Sequence, residues 1–259
     1  FIQFPNSMFK RKTHYISLAF NTLSAFTVIE KILTGIRCVD KSIGGISPET
    51  VTLIYGEPET GKTTLAIQCA YSCAMQNYKT LFVDCDNPFS SKRLSQIASD
   101  KFQEIAEQIL LIKPLDFKEQ TAVIDRISDY TSKNFGLIVI DTLTSLYGAR
   151  VAQASGKAFT INRELNRQLA ILAQTSKLQK IPIIITSQVR SVFNDTTFSI
   201  APVANRVLKF WADNIIALKP TESSQLIKAV IEKTHENTQE ITCYVQIGEN
   251  GIHDAEFHQ

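Results

Sequence analysis

The sequence lacks several features that would place a protein in a special class. No uninterrupted apolar stretch reaches the roughly 18 to 20 residues of a membrane span, so we expect no membrane attachment. Neither an internal repeat nor a low-complexity segment is evident. The net charge is only +2 over 259 residues, so a polyanionic partner must be bound by a local basic patch and not by the overall field. This length allows one full hydrophobic core.

Cysteine is scarce, and its spacing indicates neither a zinc site nor a disulfide framework. The five cysteines are odd in number, and no pair has zinc-ribbon spacing. Cys69 and Cys73 lie four residues apart on one predicted helix, which is typical of two small buried side chains. The opening Phe1-Ile-Gln-Phe-Pro is not followed by the apolar core of a signal peptide. We therefore expect a reducing, cytoplasmic setting, or a nuclear one in a eukaryote.

What the sequence does contain is an alternation of strand-like and helix-like segments. Apolar runs such as 137–140 and 181–185 are hydrophobic on both faces, as in a parallel sheet that helices cover on each side. Segments 226–233 and 241–248 predict a C-terminal antiparallel hairpin. The fold class is thus α/β with a mostly parallel central sheet. The predicted strands are 51–55, 80–84, 109–112, 137–141, 181–186 and 214–218, and the predicted helices are 62–76, 91–108, 117–132 and 160–178.

The most specific motif is a glycine-rich loop between the first of these strands and its helix. It has the form G-x-x-x-x-G-K-T, the Walker A pattern, whose backbone N–H groups and helix dipole bind phosphate oxygens. In this pattern Lys62 reaches the β- and γ-phosphates and Thr63 ligates Mg²⁺. The alternative is a simple strand–turn–helix connection. The predicted ATP-binding residues are Gly56, Glu57, Pro58, Glu59, Thr60, Gly61, Lys62, Thr63 and Thr64.

Two acidic residues follow strands that end at the same edge of the predicted sheet. Asp141 closes the apolar run 137–140 and is a candidate to hold Mg²⁺ with Thr63. Asp86 follows the strand 80–84 and is a candidate to orient the attacking water. A buried strand that ends in Asp is common without any function, and Asp86 is equally able to close an Asx turn.

Taken together, these motifs resemble the RecA superfamily of recombination ATPases. The chain is most similar to the archaeal and eukaryotic branch that contains RadA, and within it to the shortened RadB-type paralogues. The resemblance implies a RecA-like P-loop NTPase core over 34–259, preceded by a lead-in or oligomerisation segment over 1–33. The segments that carry it are 34–40, 44–46, the phosphate loop, 83–86, 89–94, 137–147, 165–169 and 185–189.

The resemblance assigns roles to Asp86, Arg93 and Gln188. Asp86 stands where the family has a catalytic glutamate, and its shorter side chain predicts a slow ATPase, since a misplacement of about an ångström can slow a step on the order of 100-fold. Arg93 matches an arginine that stacks on adenine, although it is also explained as a surface charge. Gln188 matches a γ-phosphate sensor, although its amide is also able simply to satisfy backbone groups.

Two segments correspond to the DNA-binding loops of the family, 150–163 and 189–206. They combine cations with the aromatic residues Phe159, Phe193 and Phe198, the side chains that single-stranded DNA requires. Each loop has few of either, so a solvated mobile loop is the alternative. The predicted DNA-binding residues are Arg150, Lys157, Arg163, Arg190 and Arg206.

The sequence departs from the family at two places that bear on activity. The second loop ends in Ala204-Asn205-Arg206, where the family has two glycines and a histidine, so strand exchange is in doubt. The segment 16–19 (Ile-Ser-Leu-Ala) replaces an aromatic subunit anchor by isoleucine, and 259 residues leave no room for an additional N-terminal domain. We expect weak or partner-dependent oligomers, with a main recombinase or another paralogue as a partner.

The overall expectation is a slow, ATP- and Mg²⁺-dependent ATPase that binds single-stranded DNA and assists homologous recombination and DNA repair. Two alternatives stay open at this point. A signalling ATPase resembling the KaiC group shares the same core and acts on protein partners. A scaffold subunit binds ATP without hydrolysing it.

Overall fold

The computed structural model describes residues 30–86, 89–131, 133–154, 156–194, 197–223, 225–235 and 240–255. The α-helices of these residues are α1 Arg37–Ile43, α2 Lys62–Ala74, α3 Ser91–Ala98, α4 Phe102–Glu107, α5 Phe117–Asp125, α6 Ile127–Tyr130, α7 Leu143–Gln153, α8 Ala158–Gln179 and α9 Asn205–Trp211. The strands are β1 Val51–Gly56, β2 Lys79–Asp84, β3 Ile109–Ile112, β4 Phe135–Asp141, β5 Ile183–Ser187, β6 Val189–Asn194, β7 Thr197–Pro202, β8 Asn214–Pro220, β9 Leu226–Lys233, β10 Ile241–Gly248 and β11 Gly251–Asp254. Among these helices none is long and apolar enough to cross a membrane.

Nine strands form one central sheet in the order β11-β10-β9-β8-β1-β5-β4-β2-β3. The six strands from β8 to β3 are parallel to one another. Strands β9, β10 and β11 continue the sheet in antiparallel pairing. The predicted α/β fold, with a mostly parallel sheet and a C-terminal antiparallel hairpin, is confirmed.

The central strands are buried because helices cover both faces of the sheet. Every residue of β1, β4 and β5 is buried. The side chains divide into two hydrophobic clusters, one containing Leu53 and Leu165 and the other containing Ile54 and Leu65. Since Leu53 and Ile54 are successive residues of β1, they point to opposite faces, and each cluster fills one side of the sheet.

Local capping explains where several helices begin and why two predicted helices are interrupted. The Ser90 side chain accepts the Arg93 N–H at 3.1 Å before α3, and the Asp116 side chain accepts the Glu119 N–H at 2.8 Å before α5. The predicted helix 91–108 breaks at Ser99, which has φ of +52° and therefore cannot continue a right-handed helix. The predicted helix 117–132 breaks at Arg126, whose backbone is not helical.

Several elements were not predicted from the sequence. These are α1, α7, α9, β11 and the separate two-stranded sheet β6–β7. The predicted loop 150–163 is therefore wrong in extent, because Arg150 belongs to α7 and Arg163 to α8. The predicted loop 189–206 is likewise wrong, because β6 and β7 pair as an antiparallel hairpin and Arg206 lies in α9. The lead-in 1–33 falls largely outside the described residues.

Cysteine pairing is the other difference from the sequence prediction. Cys38 in α1 and Cys243 in β10 form a disulfide, with their Cα atoms 6.2 Å apart and a sequence separation of 205. Such a bond is rare in a reducing compartment, so the reducing setting remains a prediction only. Cys69 and Cys73 are buried and free, as the sequence predicted.

Gln68 in α2 ties the start of the domain to its last strand. Its Nε2 donates to the carbonyls of Thr34 (2.7 Å) and Ile252 (2.9 Å), and its Oε1 accepts the Ile252 N–H at 2.9 Å. The side chain is buried, so water cannot replace these bonds when it is removed. Both N–H hydrogens of the amide group and one lone pair of its oxygen are thereby used.

We expect Gln68→Ala to destabilise the fold, because it leaves buried backbone groups of Thr34 and Ile252 without partners. The loss in the free energy of unfolding is about 2 to 4 kcal/mol, measured by urea denaturation. Gln153→Ala, at the exposed end of α7, is the control and changes stability by less than about 0.5 kcal/mol. A Gln68→Ala variant as stable as the control would contradict this account.

Candidate active site

The predicted site residues converge on one edge of the sheet. Strands β1, β5, β4 and β2 are neighbours in that order and run parallel, so their carboxyl ends meet at the same edge, where open α/β sheets bind ligands. Gly56 ends β1, Gln188 follows β5, Asp141 ends β4 and Asp86 follows β2. Gly56 and Gln188, which are 132 positions apart in sequence, thus belong to one site.

The loop 56–61 packs closely against strands β8 and β11. A Cβ on Gly56 would lie 2.2 Å from the Leu218 carbonyl oxygen, and a Cβ on Gly61, where φ is +89°, would lie 2.7 Å from Ile252 Cδ1. Both positions therefore require glycine. The Thr60 hydroxyl donates to the Glu57 carbonyl at 2.8 Å, while Pro58 and Glu59 are exposed. Beyond the loop, α2 begins at Lys62 with its first N–H groups directed toward the site.

Lys62 is the cation at the centre of this loop. Its side chain is buried, and Nζ donates to the Glu57 carbonyl at 2.6 Å. Burial lowers the pKa of the ammonium group, although the carboxylates of Asp141 and Glu57 act in the opposite direction. A bound anion would offset this burial cost, so the site is electrostatically suited to a phosphate group.

Asp141 lies opposite the loop and is bonded to three hydroxyl groups. Its Oδ2 accepts from Thr63 at 2.8 Å, and its Oδ1 accepts from Thr186 and, at 3.4 Å, from Thr142. The carboxyl is fully buried. Burial raises its pKa, while the hydroxyls of Thr186 and Thr63 and the Lys62 ammonium lower it. A cation beside it would favour the ionised form further.

The oxygen atoms of Thr63 and Asp141 fit a magnesium ion that is shared with a phosphate. Magnesium prefers oxygen ligands and usually takes only one or two from the protein, with water and substrate phosphates supplying the rest. Within the described ranges no group of three or more His, Cys, Asp or Glu side chains is placed to hold a metal. The donor set therefore suits a nucleotide-dependent Mg²⁺ site and not a structural metal centre.

Asp84 at the end of β2 and Asp86 just after it contact different neighbours. The buried Asp84 forms an ion pair with Lys113 at 3.3 Å, and its Oδ1 has no hydrogen-bond partner among the described residues. Burial raises the pKa of Asp84, and Lys113 opposes this shift. Asp86 is exposed, and its Oδ2 accepts from Gln188 Nε2 at 3.0 Å. Asp86, and not Asp84, is thus the acid in contact with the predicted sensor.

Gln188 also contacts the hairpin formed by β6 and β7. Its backbone carbonyl accepts the Val203 N–H at 2.9 Å, just after β7, and the Ser187 hydroxyl at 2.9 Å. A single residue therefore bonds to Asp86 through its side chain and to the end of the hairpin through its backbone. This arrangement is able to transmit a change at the amide to the segment that corresponds to the second predicted DNA loop.

A cavity of about 580 Å³ extends from the phosphate loop past Arg93, and a second of about 290 Å³ adjoins it. Both cavities share Thr63, Thr64, Arg93 and Ile247. Arg93 donates to the carbonyls of Gly248 (2.8 Å) and Glu249 (2.9 Å), in the turn between β10 and β11. These bonds fix the guanidinium plane and leave its face able to stack. Stacking of Arg93 on adenine stays a prediction.

The five cations of the predicted DNA interface are exposed. None of their side chains forms a hydrogen bond or an ion pair with other residues that the structure describes. Arg150 is in α7, Lys157 precedes α8, Arg163 is in α8, Arg190 is in β6 and Arg206 is in α9. Unpaired cations remain available to phosphate groups.

Thr186 is a site residue to which the sequence assigned no role. It lies in the segment 185–189 that carries part of the family resemblance, but its importance comes from its hydrogen bond to Asp141. Because β4 and β5 are neighbours only in the folded sheet, the contact requires the tertiary structure. One feature of the sequence could have indicated this role. Thr186 lies near the end of the buried strand β5, and β4, its neighbour, ends in Asp141.

Comparison with known proteins gives consistent matches over most of the chain. The family model described as Rad51 matches residues 26–255. A protein named DNA repair and recombination protein RadB from Thermococcus kodakarensis is 32% identical over 227 residues, which cover 86% of this chain and 99% of the relative. The protein of the same name from Methanocaldococcus jannaschii is 30% identical over 210 residues, which cover 81% of this chain and 95% of the relative.

A solved structure agrees with these matches. The structure described as the crystal structure of the RadB recombinase superposes with a TM-score of 0.74 at 32% identity, covering 87% of this chain and all (100%) of that chain. The similarity therefore includes the sheet, the phosphate loop and the antiparallel strands together, and is not limited to one motif.

Proposed function

The chain belongs to the Rad51 family, and from this premise we propose that it is a slow ATPase which binds single-stranded DNA and assists homologous recombination and DNA repair. The observation that carries the proposal is the hydrogen bond between Thr63 of the phosphate loop and Asp141 of β4. It places a hydroxyl and a carboxylate side by side at the loop that binds phosphate, which is the ligand pair for Mg²⁺ in P-loop ATPases.

Each residue of the site has a defined part in this proposal. Lys62 and the loop N–H groups bind the triphosphate, while Thr63 and Asp141 hold Mg²⁺. When bound, the ion neutralises charge on the phosphate oxygens. Asp86 orients a water molecule and accepts its proton, and Gln188 releases Asp86 to bind the γ-phosphate. The contact between Asp86 and Gln188 at 3.0 Å supports this exchange of partners.

The proposal for DNA has independent support from charge. Five exposed cations, whose side chains form no hydrogen bond or ion pair within the described part of the chain, lie on α7, α8, α9, β6 and the residue before α8. Gln188 connects this region to the proposed nucleotide site through Val203. The relatives at about 30% identity are named DNA repair and recombination proteins. We further propose that 34–259 is the ATPase domain, that 1–33 serves assembly with a recombinase or paralogue, and that the protein is cytoplasmic.

The test is ATP hydrolysis with and without single-stranded DNA, at low and high salt. We expect slow turnover that rises with DNA, and a stimulation that weakens as salt increases because phosphate contacts release counterions. Nucleotide-dependent protein binding without any DNA response would instead support the signalling ATPase. ATP binding without turnover under every condition would support the scaffold subunit.

A further inference from the structure

The hairpin of β10 and β11 lies against the proposed nucleotide site. Ile247, near the end of β10, lines both cavities. A Cβ on Gly61 would lie 2.7 Å from Ile252 Cδ1 and 3.2 Å from Ile247 Cδ1, so both isoleucines pack against the phosphate loop. Arg93 donates to the Gly248 carbonyl at 2.8 Å. The hairpin therefore forms one wall of the site, and its position determines the shape of the cavities.

This hairpin lies at one edge of the central sheet. Strand β11 is the last in the strand order, and within the described part of the chain it pairs with β10 alone. Segments with few tertiary contacts open locally at a lower cost in free energy than central strands do. Contacts from outside the sheet therefore contribute to holding the hairpin against the phosphate loop.

Helix α1 supplies two kinds of contact to the hairpin. The Asp254 carboxylate of β11 accepts the backbone N–H groups of Arg37 at 3.0 Å and Cys38 at 3.1 Å. The disulfide between Cys38 and Cys243 joins the same helix to β10 covalently. Hydrogen bonds break and form again freely, whereas a disulfide stays closed until a thiolate attacks it. The covalent contact is thus the one whose state depends on redox conditions.

The five cysteines of the chain differ in accessibility. Cys38 is partly buried and Cys243 is buried, so a thiol reaches their bond from the side of Cys38. The other three cysteines are buried and free. Burial raises the pKa of each of their thiols, that of Cys73 to about 11, which disfavours the reactive thiolate. We therefore expect thiol exchange at the pair Cys38–Cys243 alone. In a reducing compartment such a pair is usually transient or redox-sensing.

We propose that Cys38 and Cys243 form a redox switch for nucleotide affinity, in which the disulfide holds the β10–β11 hairpin against the phosphate loop and reduction releases it. The inference rests on the proposed function for its ligand, ATP. In the reduction, a dithiol attacks the Cys38 sulfur, the bond between the cysteines breaks, and Cys243 leaves as a thiolate that takes up a proton. The second thiol of the reagent then displaces Cys38, which also takes up a proton, and closes the reagent's own disulfide. Two electrons and two protons thereby pass to the protein.

The test compares the full chain after treatment with oxidised glutathione and after reduction with dithiothreitol. Alkylation of the denatured protein counts three free thiols in the oxidised form and five in the reduced form, and the intact mass shows no bound glutathione. We expect reduction to weaken ATP binding in calorimetry by at least about 5-fold, the lower end of the coupling between linked sites. Amide hydrogen exchange in 241–254 rises on reduction, whereas exchange in β4 does not.

Two variants separate the switch from other effects of the reagents. Cys38→Ser cannot form the bond, so it binds ATP as the reduced wild type does and does not respond to dithiothreitol. Cys73→Ser is the matched control, because it makes the same change at a free cysteine whose sulfur donates to the carbonyls of Tyr78 and Lys79, which a hydroxyl is also able to do. It retains the full response of ATP affinity to dithiothreitol.

Equal ATP affinity of the oxidised and reduced wild type would overturn the switch and leave the proposed function intact. This holds even if the disulfide raises the urea midpoint of unfolding by about 1 M, since a purely structural bond has that effect. Five free thiols after treatment with oxidised glutathione would also overturn it, because the bond then does not form. Absence of ATP binding in both forms would overturn the switch and the proposed function together.

Discussion

We expect the Lys62→Ala variant to bind ATP at least about 100-fold more weakly than the wild type, a difference of roughly 2.8 kcal/mol, and to show no measurable ATP turnover. Lys62 is buried beside the phosphate loop, and among the described residues its ammonium group has only the Glu57 backbone carbonyl as a hydrogen-bond partner. Charge-assisted hydrogen bonds to phosphate are the strongest that the loop is able to make. Calorimetric titration with ATP and Mg²⁺ gives the affinity, and phosphate release gives the turnover.

Stability measurements separate this effect from misfolding. Because burial disfavours the charged form of Lys62, its removal does not lower the free energy of unfolding in the absence of ATP. Lys92→Ala is the matched control, since Lys92 is exposed and lines the larger cavity. We expect it to change ATP affinity by less than about 3-fold, as for other exposed charges. Equal losses of ATP affinity in Lys62→Ala and Lys92→Ala would show that the positive charge of the region, and not the contacts of the phosphate loop, accounts for ATP binding.

Asp86→Glu is expected to raise the rate of ATP hydrolysis by about 10- to 100-fold, because the added methylene moves the carboxylate closer to the attacking water. Asp86 is exposed and bonded to Gln188, so the pocket has room for a longer side chain. Since Asp86 lies outside the phosphate loop, KM for ATP changes little. Steady-state kinetics under single-stranded DNA stimulation measures both quantities.

Two companion variants make this prediction specific. Asp86→Asn keeps the size but loses the base, and it abolishes hydrolysis while ATP binding remains. Asp100→Glu makes the same methylene addition at an exposed position of the turn between α3 and α4, and it leaves the rate unchanged. If Asp86→Glu is no faster than the wild type, the short side chain does not explain slow turnover.

The parts of the fold that were predicted correctly have local causes. Strand β1 and its loop combine a β-branched run with glycines that no other residue can replace, as the contacts of Gly56 and Gly61 show. Strand β4 is an apolar run that ends in Asp141. Because its side chains are apolar on both faces of the strand, helices must cover both faces of the sheet there. The similarity to RadB proteins, inferred from these motifs and their order, is confirmed by the comparisons.

The elements and contacts that were not predicted depend on tertiary structure, or lie in segments whose sequence patterns support two different interpretations. Residues 197–202 alternate in the period of a strand, but resemblance to a family loop led to the wrong interpretation of that segment. In α7, Leu143, Leu146 and Tyr147 have helical spacing that Gly148 obscures. The pairing of Asp86 with Gln188 joins loops on either side of β4, and no local pattern in the sequence indicates it.

Binding of ATP to the wild-type chain, measured by calorimetry with and without Mg²⁺, tests the central claim most directly. The geometry of Lys62, Thr63 and Asp141 predicts saturable binding at one site per chain that weakens when EDTA removes the ion. A titration with Mg²⁺ present that shows no saturable heat for either ATP or ADP would contradict the claim.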